Sequence, residues 1–414
     1  MTDKTPKTEP QPTPWFRKIV TGGSRMKKIL AYLFLLVSLP AVGDPVAATN
    51  DILVGINYFS GWWEELPNRW HSHGWTTNEP DWRKQFPERV PLLGCYNGQK
   101  TMDREIVAAA THGVDFFAFL WYFAPADNKD AAQIPLLNRG QFNFRNSTNA
   151  PMMKFMLEYC NHAELNAITD AEWNACVTEW VAAMRHPSYL RVGGKLVFKL
   201  HDAYQFWLKN DRDVPRCRAR LETLRQAARA AGLGEMIIGG GIMSGNQVLP
   251  DQFVAKIFDF TATYMTVPTV APRTEEYPYA TLVAGMRAAR VRHANDPIPW
   301  MPYLGAGWNP RPWTHPEAAE HHRSFFTFPT RTEWCDELRA MRDDFNRYPG
   351  LGLPLPNGGR QKIFTIYAWN EFGEGGIVAP TQGDGMMKLE GIKEVFRKTE
   401  VTGVTGSANG KFCL

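Results

Sequence analysis

Short apolar runs alternate along this chain with longer stretches of helical spacing. Runs at 52–59, 115–122, 153–160, 195–201, 236–242, 260–265, 298–304 and 363–369 have the length and the β-branched and aromatic content of strands buried on both faces. Between them, 103–112, 170–184, 216–231, 279–293 and 332–347 repeat apolar residues at helical intervals, start near Asp or Thr, and several end near Gly. Eight strands alternating with helices predict a (β/α)8 TIM barrel. About 360 residues follow Asp51 without low complexity, a polar linker or a strong internal repeat, so one catalytic domain is expected over 49–400.

A barrel of this kind gathers its chemistry at the C-terminal ends of its strands. Those ends here are polar or aromatic: Asn57-Tyr58, Trp121-Tyr122, Glu158-Tyr159, His201-Asp202, Ser244-Gly-Asn246 and Tyr264. The seventh run leads into Gly305-Ala-Gly-Trp308-Asn309-Pro-Arg311. A doubly wound nucleotide-binding sheet would need a glycine-rich phosphate loop after its first strand, and Gly239-Gly-Gly comes late and lacks that spacing.

The eighth run carries the strongest chemical signal. It opens at Asn370 into a glycine-flanked turn bearing Glu371 and Glu374. Two carboxylates three residues apart on such a turn can converge on one substrate atom, and their proximity pushes their pKa values apart, as acid/base catalysis requires. The plain alternative is a Glu371 bonded to backbone amides beside a solvated Glu374.

Composition then narrows the partner. The chain holds 15 Trp, 13 Tyr and 24 Phe, many of them in loops, as at Trp62, Trp63, Trp70, Trp75 and Trp82. Exposed rings beside carboxylates and amides suit sugars, whose C–H faces stack while their hydroxyls take hydrogen bonds; ordinary loop packing is the competing reading. The net charge of +4 comes from the first 43 residues, where seven Lys/Arg stand against Asp3 and Glu9; 39 basic and 40 acidic residues remain afterwards. That balance excludes the electrostatic footprint of a nucleic-acid or anionic-membrane binder.

The leader itself reads as a secretory signal: Lys27 and Lys28, an apolar core over 29–39, and small residues at Ala41 and Gly43. Residues 1–48 are therefore assigned to an N-terminal extension and signal peptide, 401–414 to a tail, and the body to the periplasm or the extracellular space, with no membrane contact once mature; an uncleaved membrane anchor is the alternative reading of the leader. Among six cysteines, Cys160 and Cys176 are the one candidate disulfide, with two buried free thiols as the alternative. His71-Ser-His73 and His321-His322 have no carboxylate or Cys at ligand spacing, so no metal and no cofactor is expected. No Gly-x-Ser-x-Gly elbow accompanies His201-Asp202, which is read as a sugar-hydroxyl contact.

Several segments together resemble the family 99 and family 99-like glycoside hydrolases, the group of endo-α-mannosidases and endo-α-mannanases. The segment 113–122 looks like that family's second strand, 194–202 like its fourth, 305–313 like its seventh loop, and Trp369-Asn-Glu-Phe-Gly-Glu-Gly375 like its Asn-Glu-Trp-x-Glu-Gly catalytic segment. The resemblance spans about 52–384 and implies a (β/α)8 barrel that hydrolyses an α-linked glycan with retention, through a 1,2-anhydro sugar. Glu371 would take the proton of the 2-hydroxyl and Glu374 would act as acid, then base, at the glycosidic oxygen. Glu158 would be a sugar-binding carboxylate, Tyr58 and Tyr264 active-site tyrosines, and Arg311 a basic residue of the seventh loop; Trp121, Tyr122, Asp202, Trp308 and Asn370 complete the expected substrate contacts. The chain departs from the family at Phe372-Gly373, where Trp-His or Trp-Ala is common, at Val378-Ala379-Pro380 in place of Ile-Glu-Pro, and at Met156-Leu-Glu-Tyr159 in place of His-Ile-Glu-Pro-Tyr. These changes bear on recognition rather than proton transfer, so the sugar, the linkage and the oligomeric state stay open. A non-catalytic carbohydrate-binding barrel and a glycan-transferring enzyme are the rival readings.

Overall fold

A computed structural model describes residues 52–396 except 73–78, 129–130, 163–164, 244–250, 273–274 and 314–323. The expected signal segment, the C-terminal tail, the strand end at Ser244-Gly-Asn246, Trp75, His73, His321 and His322 all lie outside the described residues.

The barrel strands are β1 (Leu53–Tyr58), β2 (Phe116–Trp121), β3 (Lys154–Tyr159), β4 (Lys195–Leu200), β5 (Met236–Gly241), β6 (Phe260–Ala262), β7 (Trp300–Met301), β8 (Tyr303–Gly305) and β9 (Ile363–Tyr367). They pair in parallel in chain order from β1 to β7, and β9 joins β8 to β1. β7 and β8 are two halves of one strand broken at Pro302, which has no N–H for the ladder but whose carbonyl still accepts from Thr365 N at 3.1 Å. Eight strand positions thus close the (β/α)8 barrel that the run pattern predicts.

A helix follows each position: α1 (Gln99–Ala110), α2 (Arg139–Asn146), α3 (Asp170–Met184), α4 (Val214–Ala230), α5 (Asp251–Ile257), α6 (Tyr279–His293), α7 (Arg331–Arg347) and α8 (Met387–Phe396). The Thr-x-x-Glu signals at Thr169/Glu172 and Thr330/Glu333 form reciprocal capping boxes that start α3 and α7. α1 begins at Gln99 on a Gly98 cap, earlier than the Asp103 start read from the sequence. No helix among the described residues is long and apolar enough to cross a membrane.

The main core lies between strands and helices, where Phe116, Phe119, Phe155, Trp180, Leu224, Met286 and Leu338 are all buried. One carboxylate joins it. Glu105 falls on the inward stripe of α1, fully buried, and accepts from Tyr58 O–H at 2.8 Å and Trp369 Nε1 at 2.8 Å. Burial pushes its carboxyl up to about 7 against those donors.

Candidate active site

The acid pair stands on a hairpin beyond β9. β10 (Asn370–Glu371) pairs antiparallel with β11 (Gly376–Ile377), and Glu374 and Gly375 both donate their amides to the Glu371 carbonyl, at 3.1 and 2.8 Å. Gly375 makes the turn at φ +86°, a conformation L side chains rarely adopt. Three groups hold the hairpin from outside. Asn370 exchanges two hydrogen bonds with the backbone of Phe59, at 2.9 and 2.7 Å, and Trp62 Nε1 donates to its carbonyl at 2.6 Å. The buried Arg89 donates to the carbonyls of Phe372 (2.9 Å) and Asn309 (2.8 Å), tying this hairpin to the seventh loop.

Both carboxylates reach a cavity of about 800 Å³ at the C-terminal mouth, whose wall includes Tyr122, Tyr264, Trp308, Trp313 and Tyr367. Each acid has its own tyrosine. Tyr264 O–H donates to Glu371 Oε1 at 2.7 Å, and Tyr367 O–H donates to Glu374 Oε2. The two phenol rings meet edge to face at 5.0 Å. Glu371 is 4% exposed; burial, then the neighbouring Glu374, push its carboxyl up to about 8, opposed by the Tyr264 hydrogen bond and the Arg69 guanidinium. The pair therefore keeps one proton well above the ordinary carboxylate range.

The expected site residues divide into two groups. Glu371, Glu374, Tyr122, Tyr264 and Trp308 line the one cavity. Tyr58 and Trp121 do not: Tyr58 reaches outward to Glu105 on α1, and Trp121 packs edge to face on Trp180 of α3 at 5.3 Å. Asp202 accepts from Gln205 N at 2.9 Å and caps the short helix Ala203–Lys209. Arg311 bonds Asn309 and Glu276 and lies over Phe325, away from the acids. Asn370 clamps backbone, as described above. Glu158 sits inside the barrel below the cavity, bonded to Lys199 Nζ (2.8 Å), His201 Nδ1 (2.5 Å) and Asn57 Nδ2 (3.1 Å). The cation of Lys199, with His201, holds its carboxyl down at about 2 despite burial.

The exposed-ring reading of the loop tryptophans is corrected. Trp62, Trp63, Trp70 and Trp82 are at most 2% exposed. Trp62 and Trp70 lie 4.2 Å apart, and both contact Phe372 of the acid hairpin at 5.5 Å. They are a packed pillar under the acid hairpin. The Phe372-Gly373 departure also gains a physical account: a Cβ on Gly373 would lie 2.0 Å from Trp313 Nε1, so glycine is what admits Trp313 to the cavity wall. Cys160 and Cys176, the candidate disulfide, are both free thiols.

Sequence reasoning missed Arg69, Tyr367, Trp313, His162 and Cys160 as wall residues. Arg69 stacks on Phe59 and Trp313 at 5.1 and 5.3 Å. His162 is pushed down to about 4 by burial and by the nearby His201. Cys160, His162 and His201 have ligand atoms within 4.8 Å of one another, the one group of three or more potential metal donors among the described residues.

No family model and no curated protein matches the chain. Solved structures share the fold, a (β/α)8 barrel. The family 99 endo-α-mannosidase from Bacteroides thetaiotaomicron is similar at a TM-score of 0.52, with 13% identity over 84% of this chain and 98% of that one. A chitinase from the same organism matches at a TM-score of 0.43, with 10% identity over 85% of this chain and 99% of its own. At such identities the likeness is one of fold.

Proposed function

We propose that the protein is an exported glycoside hydrolase that cuts an α-linked polysaccharide or glycan from within the chain, with mannose-containing chains as the first candidates. One observation carries the reading: two carboxylates on one short hairpin, each with a tyrosine donor, enter a single aromatic-walled cavity of about 800 Å³ at the mouth of a (β/α)8 barrel.

In this mechanism, which follows the family resemblance, ionised Glu371 takes the proton of the sugar 2-hydroxyl while that oxygen attacks C1. Glu374 gives its proton to the departing glycosidic oxygen. A water deprotonated by Glu374 then opens the 1,2-anhydro ring at C1, Glu371 returns the proton to the 2-oxygen, and configuration is retained. Burial of Glu371 suits a strong base once ionised, because its conjugate acid is weak. The same burial favours a second reading in which protonated Glu371 is the acid and Glu374 the base. Both readings need one proton on the pair, so kcat/KM should fall through about 8 in each. A substrate with an activated leaving group separates them, because its cleavage should survive loss of the acid, whether in Glu374→Gln or in Glu371→Gln, and not loss of the base.

Reducing-sugar release from a panel of α-mannans, other microbial polysaccharides and host glycans tests the proposal, with the anomer of the first product followed by NMR. Release with retention supports it. Binding without release on every substrate would make the protein a carbohydrate-binding barrel, and consumption of a nucleotide sugar would make it a glycan-transferring enzyme.

A further inference from the structure

Cys160, His162 and His201 come from two adjacent strand ends locked in register. β3 and β4 pair with Tyr159 opposite Leu200, and His201 N donates to the Tyr159 carbonyl at 2.8 Å. One residue further on, Asn161 and Asp202 clamp the two loops to each other: Asn161 Nδ2 donates to the Asp202 carbonyl at 2.7 Å, and Asp202 N donates to Asn161 Oδ1 at 2.8 Å. This fixes the backbone that carries all three side chains. All three also line the cavity, so they are reachable from outside.

The hydrogen bonds around the cluster define which atoms are left to bind. Glu158, held as a carboxylate by Lys199, accepts from His201 Nδ1, so the N–H of that ring is on Nδ1 and its lone pair on Nε2. A carboxylate behind a histidine in this way orients the ring and raises its basicity as a ligand. His162 Nδ1 is buried and makes no hydrogen bond within the described residues. The Cys160 thiol is hydrogen-bonded to the Tyr122 hydroxyl; burial and the Glu158 charge push the free thiol well up, so a bound cation would have to draw off its proton.

We propose that Cys160, His162 and His201 form a binding site for a single Zn²⁺ ion in the wall of the cavity, with its fourth position open to solvent. A thiolate and two imidazoles are a donor set suited to zinc, and three protein ligands leave the open position typical of reactive sites. Donors on one tetrahedral zinc lie about 3.6 Å apart for sulfur and nitrogen, given bonds of about 2.3 and 2.0 Å. The three atoms are within 4.8 Å, so an approach of about 1 Å completes the set. His162, half-buried and on the loop after β3, is the ligand free to make it. Such a site needs neither acid of the hairpin and does not depend on the glycosidase reading.

Titration of the metal-free full chain with Co²⁺, read by absorption, tests this directly. The expected result is one tetrahedral Co²⁺ per chain with a thiolate charge-transfer band, displaced by one equivalent of Zn²⁺. Cys160→Ser should abolish the band, whereas Cys95→Ser, at the exposed free cysteine, should keep it. His162→Gln should weaken Zn²⁺ binding at least about tenfold with the thermal unfolding midpoint unchanged, which keeps the test decisive if Cys160→Ser does not fold. Absence of the band at saturating Co²⁺, its persistence in Cys160→Ser, or unchanged affinity in His162→Gln would each overturn the site.

Discussion

Glu158 and Glu371 are both buried carboxylates of one barrel, yet their surroundings drive them to opposite states of charge. Glu158 faces Lys199 and His201 and stays ionised down to about 2. Glu371 faces Glu374 and a phenol and stays protonated up to about 8. Burial is common to both, so the sign of the partner decides the outcome. A carboxylate locked into an ion pair is a structural anchor, because moving its proton breaks the pair. One held near neutrality beside a second acid can give and take a proton during a reaction.

The contrast predicts different losses when each carboxylate is made neutral. Glu371→Gln keeps an acceptor for Tyr264 and removes the titrating group, so kcat/KM should fall about 10³-fold, or about 4 kcal/mol, with an unaltered circular dichroism spectrum. Glu158→Gln should instead cost about 3–5 kcal/mol of stability in denaturant unfolding, because it leaves the Lys199 cation buried without its carboxylate.

The pH dependence of stability should separate the two sites by slope. Folded Glu371 keeps a proton that the unfolded chain loses near 4.5, so its contribution falls as pH rises from about 4.5 to about 8. Folded Glu158 refuses a proton that the unfolded chain accepts near 4.5, so its contribution is lost as pH falls from about 4.5 to about 2. Unfolding free energies of the two Gln variants, subtracted from wild type across these windows, should each remove one slope and leave the other. The smallest effect belongs to Tyr264→Phe. Loss of its hydrogen bond, about 1.5–3 kcal/mol to the ionised form, should move the titration of Glu371 upward and lower activity about tenfold at neutral pH.

Strand ends were legible in the sequence because hydrophobic runs stop where a barrel strand meets solvent, and Glu371, Glu374, Tyr122, Tyr264 and Trp308 followed from them. Side-chain direction was not, because successive residues of a strand alternate between the two faces. Asn57 and Glu158 point into the barrel, while their neighbours Tyr58 and Tyr159 point to the helices: Tyr58 bonds Glu105, and Tyr159 packs on Trp180 at 5.1 Å. Parity fails beyond the strand end as well: Tyr367 and Trp369, two apart, would share a face in an unbroken strand, yet β9 ends at Tyr367, which turns to the cavity while Trp369 turns to Glu105. Choosing each polar terminal residue regardless of parity therefore mixed wall residues with core ones. Glu105 did leave a signal, since it shares the inward stripe of α1 with Met102, Ile106 and Ala109. The tryptophan pillar left none, because burial of loop residues depends on contacts far apart in sequence, such as Trp62 with Asn370.

The most direct test of the hairpin as a glycosidic acid pair is the rate of reducing-end release by Glu374→Gln beside wild type, on whichever glycan the wild type cleaves. Loss of the general acid should lower that rate by about 10²–10⁴-fold while glycan binding persists. Equal rates would remove Glu374 from the chemistry, and with it the claim that this hairpin is the catalytic centre.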